Sequence, residues 1–321
     1  MLFGKKDIVG IDFGSERVRV ALSRETVSGR KLIAVASREA PGTHSGGIFD
    51  DISAIANVVT EMLGELSLSR AAATCALPAT VCRIEKAQFP KMSAFERRQA
   101  ARIQADIAHP SSESVGVCLV RTAEAGDDFI VGMAPKKAVH SRVAVLRKAK
   151  LRPLAIEHEG QALARLYPDA DAILDVAGRT TRLHVLGAQT VETLIAEIGS
   201  DEITQGISHD LGLDSYSAER RKRILGTSGS GDRSALSLIR AMCELLRKAR
   251  SAGRQIRTIA LVGNGARIAG LRESLECSSQ IRVVDEIPPE FLTSDYPLDV
   301  MRSARFDWSL CVALAFYGAA A

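Results

Sequence analysis

Residues 7–22 read DIVGIDFGSERVRVAL, and residues 172–186 read AILDVAGRTTRLHVL. Each stretch is an apolar strand carrying an Asp (Asp12, Asp175), then a tight turn of small residues, then a second strand with alternating apolar positions. A third stretch, TIALVGNGARIAGL at 258–271, is a strand that runs into a glycine-rich turn and a helix. Such hairpins offer backbone N–H groups to phosphate, and an Asp in each can hold a water of a bound Mg²⁺. Their recurrence half a chain apart predicts an internally duplicated α/β protein, with a nucleotide held between its halves.

Working outward from the first hairpin, Lys31–Ala36 continues an antiparallel meander. Asp50 and Asp51 open a helix with Ile52, Ile55, Val59, Met62, Leu63 and Leu66 on one face, and Ala72–Leu77 is the next strand. A different block follows. Arg83–Phe89 alternates as a strand, Ser93 and Glu96 form a capping box for a helix through Ile107, and His109-Pro110 stops it. Val115–Val120 and Phe129–Pro135 pair as strands, and a basic amphipathic helix covers Lys137–Lys150. The basic stretches 97–102 and 142–150 are expected to be solvated faces, on a compact β-α-β-β-α insert that contacts a neighbouring subunit or partner.

The second half repeats the first. A strand near Val191–Ile195 follows the hairpin, then a helix from about Ser200 to Leu211 and a charged helix from near Ser217. GTSGSGD (226–232) is a flexible loop, and Ser234–Ala252 is a long amphipathic helix ended by Gly253. The last helix begins near Phe306.

Composition narrows the function classes. The 321 residues suffice for two modest cores, and a net charge of +4 spread along the chain does not imply nucleic acid. MLFGKKDIVGID passes straight into a strand, so no leader is expected, and no apolar run approaches ~18 residues. Six scattered cysteines (Cys75, Cys82, Cys118, Cys243, Cys277, Cys311) read as buried small hydrophobes in a reducing compartment. His44, His109, His140, His158, His184 and His209 show no metal-ligand spacing. The EHEG run at 157–160 reads as a carboxylate-rich helix start.

Together these stretches resemble the actin, heat-shock-70 and sugar-kinase superfamily, and within it the PilM family of type IV pilus assembly proteins. The resemblance is carried by FGKKDIVGIDFGSERVRVALS (3–23), GGIFDDISAIANVVTEML (46–63), ALPATVCRIEKAQFPKMSAFERRQAARIQADIAHP (76–110) and AEIGSDEITQGISHDLGLDSYSAERRK (196–222). It implies an α/β, actin-like (ribonuclease H-like) two-lobed fold from a duplicated βββαβα unit. The first lobe would be residues 1–155, with an FtsA/PilM-type insert at about 82–152. Residues 156–303 would be the second lobe, and 304–321 a C-terminal helix packing back on the first.

The resemblance also implies ATP and Mg²⁺ as cofactors. Asp12, Gly14 and Ser15 would form the first phosphate hairpin, with Arg19 where the superfamily often has a phosphate-touching Lys. Asp175, Gly178, Arg179 and Thr180 would form the second, with Asp12 and Asp175 facing Mg²⁺ through water. Glu219 and Lys222 match an AExxK pair at the ribose and adenine, and Gly263 and Gly265 would lie under the adenine. Four positions depart from the family pattern: Glu16, Ala177, Ser200 and Asn264.

The function so implied is a cytoplasmic scaffold, at most a weak ATPase, held at the inner membrane through partners. It would dock the cytoplasmic N-terminal peptide of a PilN-like pilus protein, with self-association or a pilus or secretion ATPase as further contacts. One alternative is a type II secretion platform protein or an FtsA-like filament; another, of a different class, is a small-molecule kinase or phosphatase of the same superfamily.

Overall fold

The computed structural model describes residues 7–41, 44–45, 47–68, 70–108, 115–121, 128–187, 190–226, 230–288, 291 and 307–318. Residues 1–6, the His109-Pro110 stop, the start of the last helix near Phe306 and positions 227–229 of the GTSGSGD loop lie outside them.

The first sheet begins with the meander β1 (Ile8–Phe13), β2 (Arg17–Thr26) and β3 (Gly29–Glu39), all antiparallel. A short pair, β4 (His44–Ser45) and β5 (Ile48–Phe49), leads to helix α1 (Ile52–Glu65). Asp51 caps α1 by accepting the N–H groups of Ser53 and Ala54 at 2.8 and 2.9 Å. Its buried face is Ile55, Ala56, Val59, Met62 and Leu63, the helical stripe that lies on the sheet. Strand β6 (Ala72–Leu77) then joins β1 in parallel.

The insert leaves the lobe at the end of β6. It consists of β7 (Arg83–Gln88), α2 (Ala94–Ala108), β8 (Val115–Arg121) and β9 (Asp128–Pro135). Its sheet runs β7-β9-β8 and has its own core, where Phe89 and Phe129 pack edge to face with centroids 5.8 Å apart. Ser93 and Glu96 close α2 with a reciprocal capping box, at 2.7 and 3.2 Å. Helix α3 (Lys136–Lys148) serves both bodies: it continues from β9, but Val145 and Leu146 belong to the core of the first lobe. Arg142, expected on a solvated face, is therefore buried. It donates to Ala76 O at 2.8 Å and to Gly47 O, and lies over the ring of Phe49. Strand β10 (Arg152–His158) completes the first sheet beside β6.

A short helix, α4 (Glu159–Ala164), crosses to the second sheet. There β11 (Ala172–Val176), β12 (Thr181–Leu186) and β13 (Val191–Ala196) repeat the meander. Helices α5 (Asp201–Leu211), α6 (Ser215–Leu225) and α7 (Asp232–Ser251) precede β14 (Thr258–Val262), a 3-10 turn at Asn264–Arg267, α8 (Leu271–Ser279) and β15 (Arg282–Val284). Read from the meander's outer strand, the orders are β3-β2-β1-β6-β10 and β13-β12-β11-β14-β15, one topology twice. The registers agree too: Phe13 pairs with Val18 and Val176 with Thr181, so each hairpin has a four-residue connection.

Helix α9 (Ser309–Ala315) returns to lie on β1, β2, β6 and α4. With Leu163, Leu166, Ile173, Ala260 and Val262 it forms a core shared by the two sheets. Its last carbonyls are buried but not orphaned: Arg165 donates to Ala313 O and Thr74 to Leu314 O, both at 2.7 Å, and Ser23 donates to Ala315 O. Two cysteines expected inside, Cys118 on the insert's outer strand β8 and Cys277 on α8, are exposed.

Gly10 is where α9 crosses β1. A Cβ there would sit 2.1 Å from Cys311 O and 2.3 Å from Ala315 N, backbone atoms that cannot move aside locally. Gly10→Ala is therefore expected to destabilise by about 3 kcal/mol or more, the upper end of overpacking effects. Gly64→Ala, on α1 with no atom within 4 Å of its Cβ, should be neutral or stabilising by up to ~1 kcal/mol. Urea unfolding of both variants reads the contrast.

Candidate functional site

The duplicated hairpins face each other from the two lobes. In the first, Asp12 on β1 lies directly across from Arg19 on β2, and in the second Asp175 on β11 lies directly across from Arg182 on β12. Directly opposed residues of an antiparallel pair point to the same face, so each acid meets its arginine. Arg19 Nη1 donates to Asp12 Oδ2 at 3.0 Å, and Arg182 Nη1 to Asp175 Oδ2 at 2.8 Å. Arg19 also reaches across the cleft, donating through Nη2 to Asn264 Oδ1 at 2.8 Å. Asn264 thus holds the opposite lobe rather than standing as a defective glycine.

Glu159 joins this group. It stands where β10 ends and α4 begins, and EHEG read from sequence as no more than a helix start. The position itself was the available signal: β10 runs parallel to β6, and sites gather at the carboxyl ends of parallel strands. Glu159 Oε1 accepts the N–H of Ala79 at 2.8 Å, and Oε2 lies 3.4 Å from Arg182 Nη1. Burial, against the pull of Arg182, pushes its carboxyl up to about 7. Burial likewise raises Asp12 and Asp175 against the pull of Arg19 and Arg182. Asp307 completes the circle, accepting Gly263 N–H at 3.0 Å and Arg267 Nη2 at 3.2 Å.

Between these groups lies a cavity of about 190 Å³. Of the sequence-derived site residues, Asp12, Gly14, Ser15, Arg19, Asp175, Gly178, Glu219 and Gly263 line it. Arg179, Thr180, Lys222 and Gly265 lie outside the lining. Arg179 is exposed at the turn tip, and Thr180 O is taken by Ala177 N–H to close the turn. Gly265 is packed on Val176. Lys222 is buried: its Nζ donates to Ser200 O at 3.1 Å and to Thr204 Oγ1 at 2.8 Å, and it pairs with Glu219 at 2.6 Å, stapling α6 to α5. Burial works to raise Glu219, but the bonds from Lys222 and Thr204 override it and leave the carboxyl below its usual range.

Two of the departures are conformationally easy. Ala177 and Asn264 are not among the described non-glycine residues with positive φ, which are Ser67, Lys150 and Gln280. Gly263 is held to glycine twice over, by its φ of 87° and by a Cβ position that would meet Asp175 Oδ1 at 2.4 Å. Glu16, Ala177 and Ser200 also line the cavity.

Among the described residues, Glu159, Asp175 and His184 have ligand-type atoms close enough for a metal ion. His184 is fully buried, and burial together with His158 and Arg182 keeps its imidazole neutral. Its Nδ1 lies 2.9 Å from Thr193 Oγ1 and its Nε2 4.0 Å from Glu159. The guanidinium of Arg182, however, already stands between the two carboxylates.

Set beside solved structures, the chain is similar to the protein of a PilM-PilN type IV pilus biogenesis complex, with a TM-score of 0.82 and 20% identity over 98% of this chain and 99% of that one. The chain has the two-lobed actin-like fold. It is also similar to the ethanolamine utilization protein EutJ from Carboxydothermus hydrogenoformans, with a TM-score of 0.63 and 15% identity over 97% and 90% of the two chains. No family profile and no curated protein sequence matches it. Among the described residues, no helix is long and apolar enough to cross a membrane.

A carboxyl raised in the folded state stabilises the fold while protonated. The contribution of Glu159 is full below its ordinary 4.5 and is lost as pH rises through about 7. Between about pH 5 and pH 8 the protein should lose on the order of 1–3 kcal/mol relative to Glu159→Gln. Urea unfolding of the two proteins across that range measures the difference.

Proposed function

We propose that the chain is an actin-like scaffold of a type IV pilus assembly platform. It stands at the inner membrane through a partner rather than by insertion, and it docks the cytoplasmic N-terminal tail of a PilN-like protein. The observation that carries this reading is the likeness to the PilM-PilN protein along essentially the whole of both chains.

A groove of about 700 Å³ lies between the insert and the second lobe, and it supplies a place for the tail. It is lined by β7 and β13, each the outermost strand of its own sheet, with Ile84, Val191 and Ile195 among the apolar groups. An outermost strand presents unpaired N–H and C=O groups, so an extended peptide can add to it while its alternate side chains enter the groove. The lobes on either side of the cleft would then change their angle with a purine nucleotide held by the paired hairpins. The cavity of about 190 Å³ is small beside the roughly 300–1,000 Å³ of most ligand pockets, so nucleotide entry parts the lobes.

Fluorescence anisotropy with a labelled N-terminal peptide of a PilN-like protein tests the docking. Saturable binding is expected, weakened at least about tenfold by Ile84→Asp, or roughly 1.4 kcal/mol, with little change in melting temperature. Absence of binding would remove this reading, and phosphoryl transfer from ATP to a small hydroxyl compound at useful rates would replace it with an enzymatic one.

A further inference from the structure

The family pattern places Mg²⁺ in the cleft, faced through water by Asp12 and Asp175. The geometry points to a different occupant. We infer that Arg182, with Arg19 opposite it, is the resident cation of the cleft, and that a phosphate chain entering between the lobes is bound by guanidinium groups without a divalent metal. The metal-free claim stands on the arginines alone; the choice of a phosphate chain as ligand rests on the nucleotide reading above.

The two arginines hold equivalent places. Each lies seven residues after its aspartate and directly across the hairpin from it, so the duplication has put a fixed positive charge on both carboxylates. Arg182 is the one shared by two acids: its side chain, 16% exposed, bridges Asp175 at 2.8 Å and Glu159 at 3.4 Å. A divalent ion bound to those oxygens would have to expel the guanidinium or sit beside it, and like charges in a desolvated site repel strongly.

Two further acids of the cavity are engaged as well, Asp307 by Arg267 and the Gly263 N–H, and Glu219 by Lys222 and Arg223, while Glu16 and Asp201 also line it. Arg182 Nε is buried and meets no acceptor. The residue lines the cavity, and a guanidinium presents its donors in a planar fork that matches phosphate oxygens. The hairpin turns, which include Gly14, Ser15 and Gly178, lie on the same cavity.

The experiment has two arms on the full chain. In the first, ATP is titrated calorimetrically in EDTA and again in millimolar Mg²⁺. The two affinities should agree within about twofold, and Arg182→Thr should weaken binding in EDTA at least about tenfold. A gain of about tenfold or more from Mg²⁺ in the wild type overturns the inference.

The second arm uses Mn²⁺ alone, followed by the electron paramagnetic resonance signal of the free ion. The wild type should leave that signal unchanged, whereas Arg182→Thr, which uncovers Asp175 and Glu159, should deplete it. Arg182→Lys, which keeps the charge, should behave as the wild type and serves if the threonine variant fails to fold. Depletion of the signal by the wild type overturns the inference. Failure to bind ATP under either condition removes the nucleotide reading, and the Mn²⁺ arm then decides the role of Arg182 by itself.

Discussion

The cleft is organised by one arrangement made twice: a carboxylate and a guanidinium facing each other across an antiparallel hairpin. Buried charges of this kind are tolerated only when paired, and here the pairing is enforced by strand register rather than by chance encounter of long side chains. Asp12 with Arg19 and Asp175 with Arg182 therefore keep their geometry as long as the hairpins keep theirs. Arg19 extends the arrangement to the opposite lobe through Asn264, and Arg182 extends it to Glu159. The lobes thus meet across a polar seam as well as through the apolar core around α4 and α9.

That seam bears on how the protein can work. Were the two lobes to change their angle, the contacts broken and remade would be those at the cleft mouth. The Arg19–Asn264 bond and the Asp307 contacts are of that sort: side-chain bonds spanning elements far apart in sequence. The insert stands apart, with its own small core and an outermost strand turned toward the second lobe. A peptide lying between β7 and β13 would touch both bodies, so its affinity would depend on their separation.

Much of this was legible in the sequence, because duplication and strand alternation leave strong periodic signals. The paired meanders, the α1 stripe and the Ser93/Glu96 cap are local and could be read residue by residue. What the sequence hid was long-range. Glu159 looked like a helix-start carboxylate, and only the pairing of β10 with β6 brings it to the cleft. Lys222 looked like a ligand contact because AERRK matches a motif, yet a neighbouring helix start and Thr204 consume its donors. Arg182 was the opposite case: its spacing from Asp175 equals that of Arg19 from Asp12, a regularity plain in the letters but without meaning until the register is known. Arg142 was misplaced because a basic helix suggests solvent, whereas α3 is wedged against the first lobe.

The position of α9 has a consequence for how the chain comes to be folded. The hydroxyl of Ser23 and the carbonyl of Ala315 are partners across 292 residues, and Gly10 is shaped to receive a segment that the ribosome delivers only after the whole second lobe. During synthesis the first sheet must wait, one face uncovered, for its lid. Loops that close so far along the chain are slow to form, so the first lobe excised by itself is not expected to be an autonomous unit. The second lobe has a core of its own without α9, whereas the first sheet is covered only once α9 is in place.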